Sequence, residues 1–292
     1  MKLFRTCADM LADDLSLLED RFPERTIDTG HGVVSYRACG SGPAIVLLHG
    51  IGSGAASWMH CALKLGREAR VVAWNAPGYG RSAPLAEPAP GAPGYAARLD
   101  AFLAALGMED CLLVGHSLGA LMGAAYAARD SGRARRLLLL SPAQGYGCAS
   151  RRQHGARVLR ERLDTLERLG VEGMAEQRSA RLLSPAASEA ARAWVRWNMA
   201  QLNPAGYSQA VRLLCGSDIH DFLPPRIAAM AACGEADDVT TPQDSARLAA
   251  AAGLPYYSVP GAGHACYVEQ PMAVAQLIRK ASQLTLPSND HE

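Results

Sequence analysis

Five short apolar runs, at residues 45–48, 71–74, 111–114, 136–140 and 256–259, punctuate the chain and are separated by stretches with helical spacing. Runs of this length are too short for helices and read as strands. Strands alternating with helices imply a mostly parallel sheet covered on both sides. Ahead of them, residues 26–38, interrupted at Thr29-Gly30-His31-Gly32, predict a hairpin. Phe4, Leu11, Leu15 and Leu18 predict an amphipathic helix over about residues 4–20. Residues 227–233 are the discordant segment: their alanines favour a helix by propensity, and only the motif that follows argues for a strand.

The alternation lapses between Ser141-Pro142 and Pro224-Pro225. A structureless connection of that length is uncommon inside a domain. Leu159, Leu163, Leu166 and Leu169 recur at helical spacing, Trp194 and Trp197 lie three apart, and Val211, Leu214 and Ile219 continue the pattern. The expectation is therefore a main domain built from residues 1–142 and 224–292, with a helical cap over 143–223. That insertion carries eleven arginines against eight acidic residues. A solvated helix face accounts for such an excess, and attraction of an anionic substrate is the sharper alternative.

Candidate chemistry begins at Gly115-His116-Ser117-Leu118-Gly119, which follows the run 111–114 and opens the small-residue segment 120–128. A strand entering a helix through Gly-x-Ser-x-Gly holds the serine in a sharp turn, with its hydroxyl exposed at the top of the sheet. Three other blocks accompany it: His49-Gly50-Ile51-Gly52 after the first buried run, Asn75-Ala76-Pro77-Gly78-Tyr79-Gly80-Arg81-Ser82 after the second, and Gly234-Glu235-Ala236-Asp237 followed by Gly261-Ala262-Gly263-His264. Together, over roughly residues 33 to 277, these blocks resemble the α/β-hydrolase superfamily, in the branch that carries a cap.

The resemblance implies an eight-stranded, mostly parallel sheet with helices on both faces and an inserted helical cap. It also implies a triad in the order nucleophile, acid, histidine, here Ser117, Asp237 and His264. The family pattern Gly-x-x-Asp starting at Gly234 selects Asp237; Asp238 competes, and the alternative acid position after the preceding strand reads Ser141-Pro142-Ala143, without a carboxylate. The backbone N–H of Leu118 at a helix start, and by resemblance that of Ile51, would form the oxyanion hole. Gly52, Ser53, His116, Tyr146, Trp194, Trp197 and Val239 are candidates for the substrate pocket. Core packing competes for the aromatics, Trp58 included. Cys266, close to His264, competes between lining the site and filling the core. Asn75 stands where this branch often carries Asp.

Composition narrows the classes. Twenty-nine basic and 28 acidic residues balance to +1, which does not point to nucleic acid. Eight scattered cysteines without Cys-x-x-Cys spacing read as reduced thiols, and acids at Asp9, Asp13, Asp14, Glu19 and Asp20 break the apolar run a signal peptide would need. The expectation is a cytoplasmic chain without a membrane span, metal or organic cofactor, acting on a small acyl substrate; a homo-oligomer is compatible with the sequence. The expected reaction is hydrolysis of a small carboxylic ester, thioester or lactone through an acyl-enzyme. Carbon–carbon bond hydrolysis of ring-fission products and acyl transfer are the alternatives, and a catalytically silent binding protein is a third class. Ring-fission hydrolases resemble Gly-Asn-Ser-Met-Gly with Trp after the histidine, whereas this chain has Gly-His-Ser-Leu-Gly and Ala265.

Overall fold

A computed structural model describes residues 6–129 and 132–285. Eight strands form one sheet: β1 (Glu24–Asp28), β2 (Val33–Cys39), β3 (Ala44–Leu48), β4 (Arg70–Trp74), β5 (Cys111–His116), β6 (Ala134–Leu140), β7 (Ala228–Gly234) and β8 (Tyr256–Val259). Their order is β1-β2-β4-β3-β5-β6-β7-β8. β1 and β2 form the antiparallel hairpin, β2 pairs antiparallel with β4, and the remaining pairs are parallel. The helices are α1 (Cys7–Arg21), α2 (Met59–Leu65), α3 (Ala92–Ala105), α4 (Leu118–Ala127), α5 (Arg152–Arg178), α6 (Glu189–Ala200), α7 (Pro204–Gly216), α8 (Pro242–Ala251), α9 (Cys266–Glu269) and α10 (Pro271–Ser282).

The pleat sends successive side chains to opposite faces. Val46, Leu48, Leu137 and Leu139 join the core shared with Tyr95 and Phe102 of α3 and Leu121 of α4. Ile45, Leu47, Leu138 and Leu140 join the opposite core, with Met59 and Leu65 of α2 and Ile278 of α10. This two-sided burial explains why β3 to β6 read as apolar runs, whereas β8, at the sheet edge, has Ser258 exposed and both tyrosines half-buried. It also settles the discordant segment: β7 is a strand, every residue of it buried between β6 and β8. Its alanines are overridden by a tertiary slot in which Ala229 and Ala231 face one core and Met230 and Ala232 the other.

The N-terminal helix runs from Cys7 to Arg21, capped by Thr6, whose side chain accepts from the Asp9 N–H while Asp9 accepts from the Thr6 N–H. The expected Phe4 lies outside the described residues. Between β6 and β7 the chain forms α5, α6 and α7. α5 is interrupted at Gly170, whose φ of 65° and ψ of −175° belong to a region that is essentially glycine's alone. The leucine repeat predicts no such break.

β3 is followed in the sheet by β4 on one side and by β5 on the other. The chain thus reverses its direction of travel across the sheet at this point, and in open α/β sheets the crevice at the carboxyl ends of such strands receives the ligand. The turns after β3 and β5 carry Gly50–Ser53 and Ser117.

Candidate active site

Ser117 occupies the turn between β5 and α4 with φ 53° and ψ −117°, outside the regions that non-glycine residues ordinarily adopt. Its flanking glycines are required by space. A Cβ on Gly115 would collide with the backbone of Gly119 and Ala120, and one on Gly119 with the carbonyl of Leu48. Without side chains at both positions, α4 seats directly against β3 and β5. The strain is held by backbone bonds: the Ser117 N–H donates to Leu140 O at 3.0 Å, and Ser117 O accepts from Ala120 and Ala143.

Ser117 lines a cavity of about 760 Å³ at the carboxyl end of the sheet, within the range for small-molecule sites. The turns after β3, β5, β6 and β7, the His264 loop and helices α5 to α7 form its wall. Ile51, Gly52, Ser53, His116, Leu118, Tyr146 and Val239 all border it. Among described residues, neither the Ile51 nor the Leu118 backbone N–H donates to another group, so both remain available to an incoming acceptor. Tyr79 steadies the Ile51 turn by donating its hydroxyl to Ile51 O at 3.0 Å.

Asp237 and His264 meet across 27 residues of sequence, with Nδ1 2.9 Å from Oδ2. Both are buried. Asp237 accepts from the N–H groups of Val239 (2.8 Å) and Thr240 (2.9 Å) and from the Thr240 hydroxyl (2.9 Å). Burial pushes its carboxyl up, but the interaction and hydrogen bond with His264, joined by the Thr240 and Val239 N–H groups, outweigh that and hold it well below the usual carboxylate range. Asp238 is exposed and does not touch the imidazole. Since Nδ1 faces Asp237, the other ring nitrogen of His264 is the one left to the cavity, which His264 and Ser117 share. No hydrogen bond joins the Ser117 hydroxyl to this ring among the described residues.

Two further histidines surround the site. His116 is buried, with Nε2 2.8 Å from the His264 carbonyl and its ring 4.7 Å from the His264 ring. Burial, and then the neighbouring His264, push its pKa down to about 3. The ring is therefore neutral and donates from Nε2–H, fixing the loop that carries His264. His49 is held down to about 4 by burial; its Nδ1 lies 2.8 Å from Gly50 O and its Nε2 accepts the Ala76 N–H at 3.0 Å. It ties the turn after β3 to the one after β4. Asn75 receives the Ala55 N–H on its oxygen and donates to Ser35 Oγ and the Glu24 carboxylate.

Two expectations need correction. Trp194 and Trp197 do not border the cavity: they stack on each other at 5.2 Å, Trp194 against His60, on the side of α6 that packs toward α1. The α6 stripe facing the cavity is Val195, Asn198 and Met199 instead. Trp58 is also absent from the cavity wall; it is core, stacked on Tyr267 at 4.0 Å. Cys266 is buried core rather than cavity wall. Sequence reasoning also missed Thr240, which supports Asp237 and lies 3.2 Å from His264 Nδ1. The only sequence signal for it was its place three residues after Asp237. Arg162, Arg178 and Tyr207 also border the cavity, and nothing in the sequence shows which helix faces turn toward it.

Among described residues there is no group of three or more His, Cys, Asp or Glu side chains that could hold a metal ion, and no helix is long and apolar enough to cross a membrane.

Residues 45–277 match the family described as the alpha/beta hydrolase family. With the sheet order and the strained serine turn, this places the chain in that family. Among its curated relatives are an uncharacterized protein of Mycobacterium bovis, 36% identical over 121 residues (41% of this chain, 35% of the relative), and a protein of Dechloromonas aromatica named 2-hydroxy-6-oxononadienedioate/2-hydroxy-6-oxononatrienedioate hydrolase 1, 30% identical over 115 residues (38% and 40%). The matched stretches span little more than a third of those relatives. The fold is also that of an enol-lactonase from Burkholderia xenovorans, with TM-score 0.78, 22% identity and coverage of 88% of this chain and 99% of the other.

Proposed function

We propose that this protein is a serine hydrolase that cleaves a small carboxylic ester, thioester or lactone through an acyl-enzyme. In this reading Ser117 Oγ attacks the carbonyl carbon while His264 takes its proton through the ring nitrogen opposite Asp237. Asp237 fixes the tautomer and stabilises the imidazolium. The Leu118 and Ile51 N–H groups receive the oxyanion as the carbonyl carbon becomes tetrahedral; such donors act from a preorganised, largely dry position and contribute several kcal/mol. The leaving alcohol, thiol or enol then takes the proton from His264. A water activated by the same imidazole attacks the acyl carbon, and the acid departs as Ser117 recovers its hydroxyl. Residues 143–223 serve as the cap that shapes the substrate's room.

The observation that carries this reading is the buried Asp237–His264 pair opening on the same cavity as the strained Ser117. Substituting Ser117→Ala or His264→Ala is expected to lower turnover of short p-nitrophenyl esters ~10⁴-fold or more, because members of such a triad act as a unit. Labelling by a fluorophosphonate should be lost in Ser117→Ala. An alanine variant at Ser117 that keeps the parental rate would sink the assignment. Carbon–carbon bond hydrolysis is the second reading, favoured by the name of the Dechloromonas relative; a ring-fission product consumed faster than any ester would select it.

A further inference from the structure

The cavity wall gathers several arginines. Arg162, Arg178 and Arg181 all border it, Arg162 and Arg178 half-buried. Arg162 donates to the hydroxyl of the buried Tyr207 at 3.2 Å. Arg178 and Arg181 make no hydrogen bond or ion pair with any described residue. Burial and then the charges of Arg162 and Arg181 lower the Arg178 pKa, so these guanidiniums sit within each other's fields. Glu161 is the carboxylate acting on Arg178, but it is exposed and also lies 3.8 Å from Arg157.

The other charged groups on this wall are otherwise engaged. Arg151 is paired with Asp218 at 2.8 Å, Asp244 with Arg247, and His154 contacts Arg157; Asp238 is exposed. Arg162 and Arg178 are sixteen positions apart on α5, which on a straight helix would separate them by ~24 Å. The break at Gly170 brings them to one cavity. Gathering like charges and partly desolvating them is unfavourable unless an anion joins them, and the guanidinium fork matches a carboxylate through two parallel N–H···O bonds.

We propose that the substrate carries, besides the bond that is cleaved, a carboxylate that Arg162 and Arg178 bind with the support of Tyr207. This rests on the reading of the site as an ester hydrolase. The test compares mono-p-nitrophenyl glutarate with its methyl-capped counterpart, methyl p-nitrophenyl glutarate. The parent is expected to favour the free acid at least 10-fold in kcat/KM, chiefly through KM, and Arg162→Gln or Arg178→Gln should bring that ratio close to one, with Arg178→Lys between. High salt should shrink the preference as well. A parental ratio at or below one, or a ratio unchanged in the Gln variants, overturns the proposal, as does a preference for a phosphate-bearing ester over the carboxylate. Glutarate binding to Ser117→Ala, which needs no turnover, should weaken at least 10-fold on adding Arg178→Gln. Intact glutarate binding without ester cleavage would refute the ester-hydrolase reading while leaving the anion site standing, and cleavage without that binding would do the reverse.

Discussion

At the scale of single residues, Asn75 shows how a departure from a family habit is set by a neighbour. Its amide reaches three elements at once: the Ala55 N–H, Ser35 Oγ on β2 and the Glu24 carboxylate on β1, the last at 3.1 Å. An aspartate would keep the first bond and set a second carboxylate against Glu24, which Arg81 only partly offsets at 3.2 Å from a side with considerable exposure. Asn75→Asp is expected to cost ~1–3 kcal/mol of stability in urea unfolding at pH 7. Adding Glu24→Gln should restore much of that loss; a double variant no better than the single one would remove Glu24 as the reason. The same locality governs Asp237 and Asp238. Adjacent in sequence, they differ because only Asp237 is turned inward, onto two N–H groups, a hydroxyl and the imidazole. Spacing from Gly234 pointed to the one that meets His264, but its anchoring by Thr240 was invisible, since a threonine three residues on has no distinctive pattern.

Among the elements, those defined by their own periodicity were the legible ones. The strands read from apolar runs were foreseen to within about two residues at either end, and in β3 to β6 double-sided burial is what leaves the run apolar. β7 was not legible from its own residues: alanine is a helix former, and only a slot between two neighbouring strands makes it extended. Trp194 and Trp197 went wrong for the complementary reason, as helical spacing identifies a stripe without saying what it will face. α5 adds a third case. Its leucines run evenly to Leu169, yet Gly170 turns the helix with a backbone conformation closed to other residues. A Cβ there would meet nothing within 4 Å, so Gly170→Ala isolates the conformational cost, expected at ~1–3 kcal/mol. Thermal unfolding would register it, and an unchanged midpoint would mean that the break is not enforced by the backbone.

For the molecule as a whole, the two buried neutral histidines link folding to pH. His49 and His116 are held to about 4 and about 3, whereas an unfolded histidine titrates near ~6.5. As pH falls below that value, the unfolded chain takes up protons that the folded chain refuses. Their contribution is therefore fully present above pH ~6.5 and is progressively lost toward pH ~4, at up to ~1.4 kcal/mol per pH unit for each histidine. Urea unfolding at pH 7, 6 and 5 should show this slope, and His116→Gln should reduce it by about one proton. A slope unchanged by that substitution would mean that His116 is charged or exposed in the folded protein.

What the sequence determined by itself was local or periodic: the buried strands, the glycines that let a serine stand in a strained turn, and the order of the serine, acid and histidine blocks along the chain. These are written in residues a few positions apart, where sterics and hydrophobic burial act directly. The tertiary structure alone decided which faces of α5, α6 and α7 turn toward Ser117, that an alanine-rich run becomes a strand, and that arginines sixteen positions apart share one cavity. Those outcomes depend on contacts between distant segments, and a contact between distant segments leaves no period in the chain.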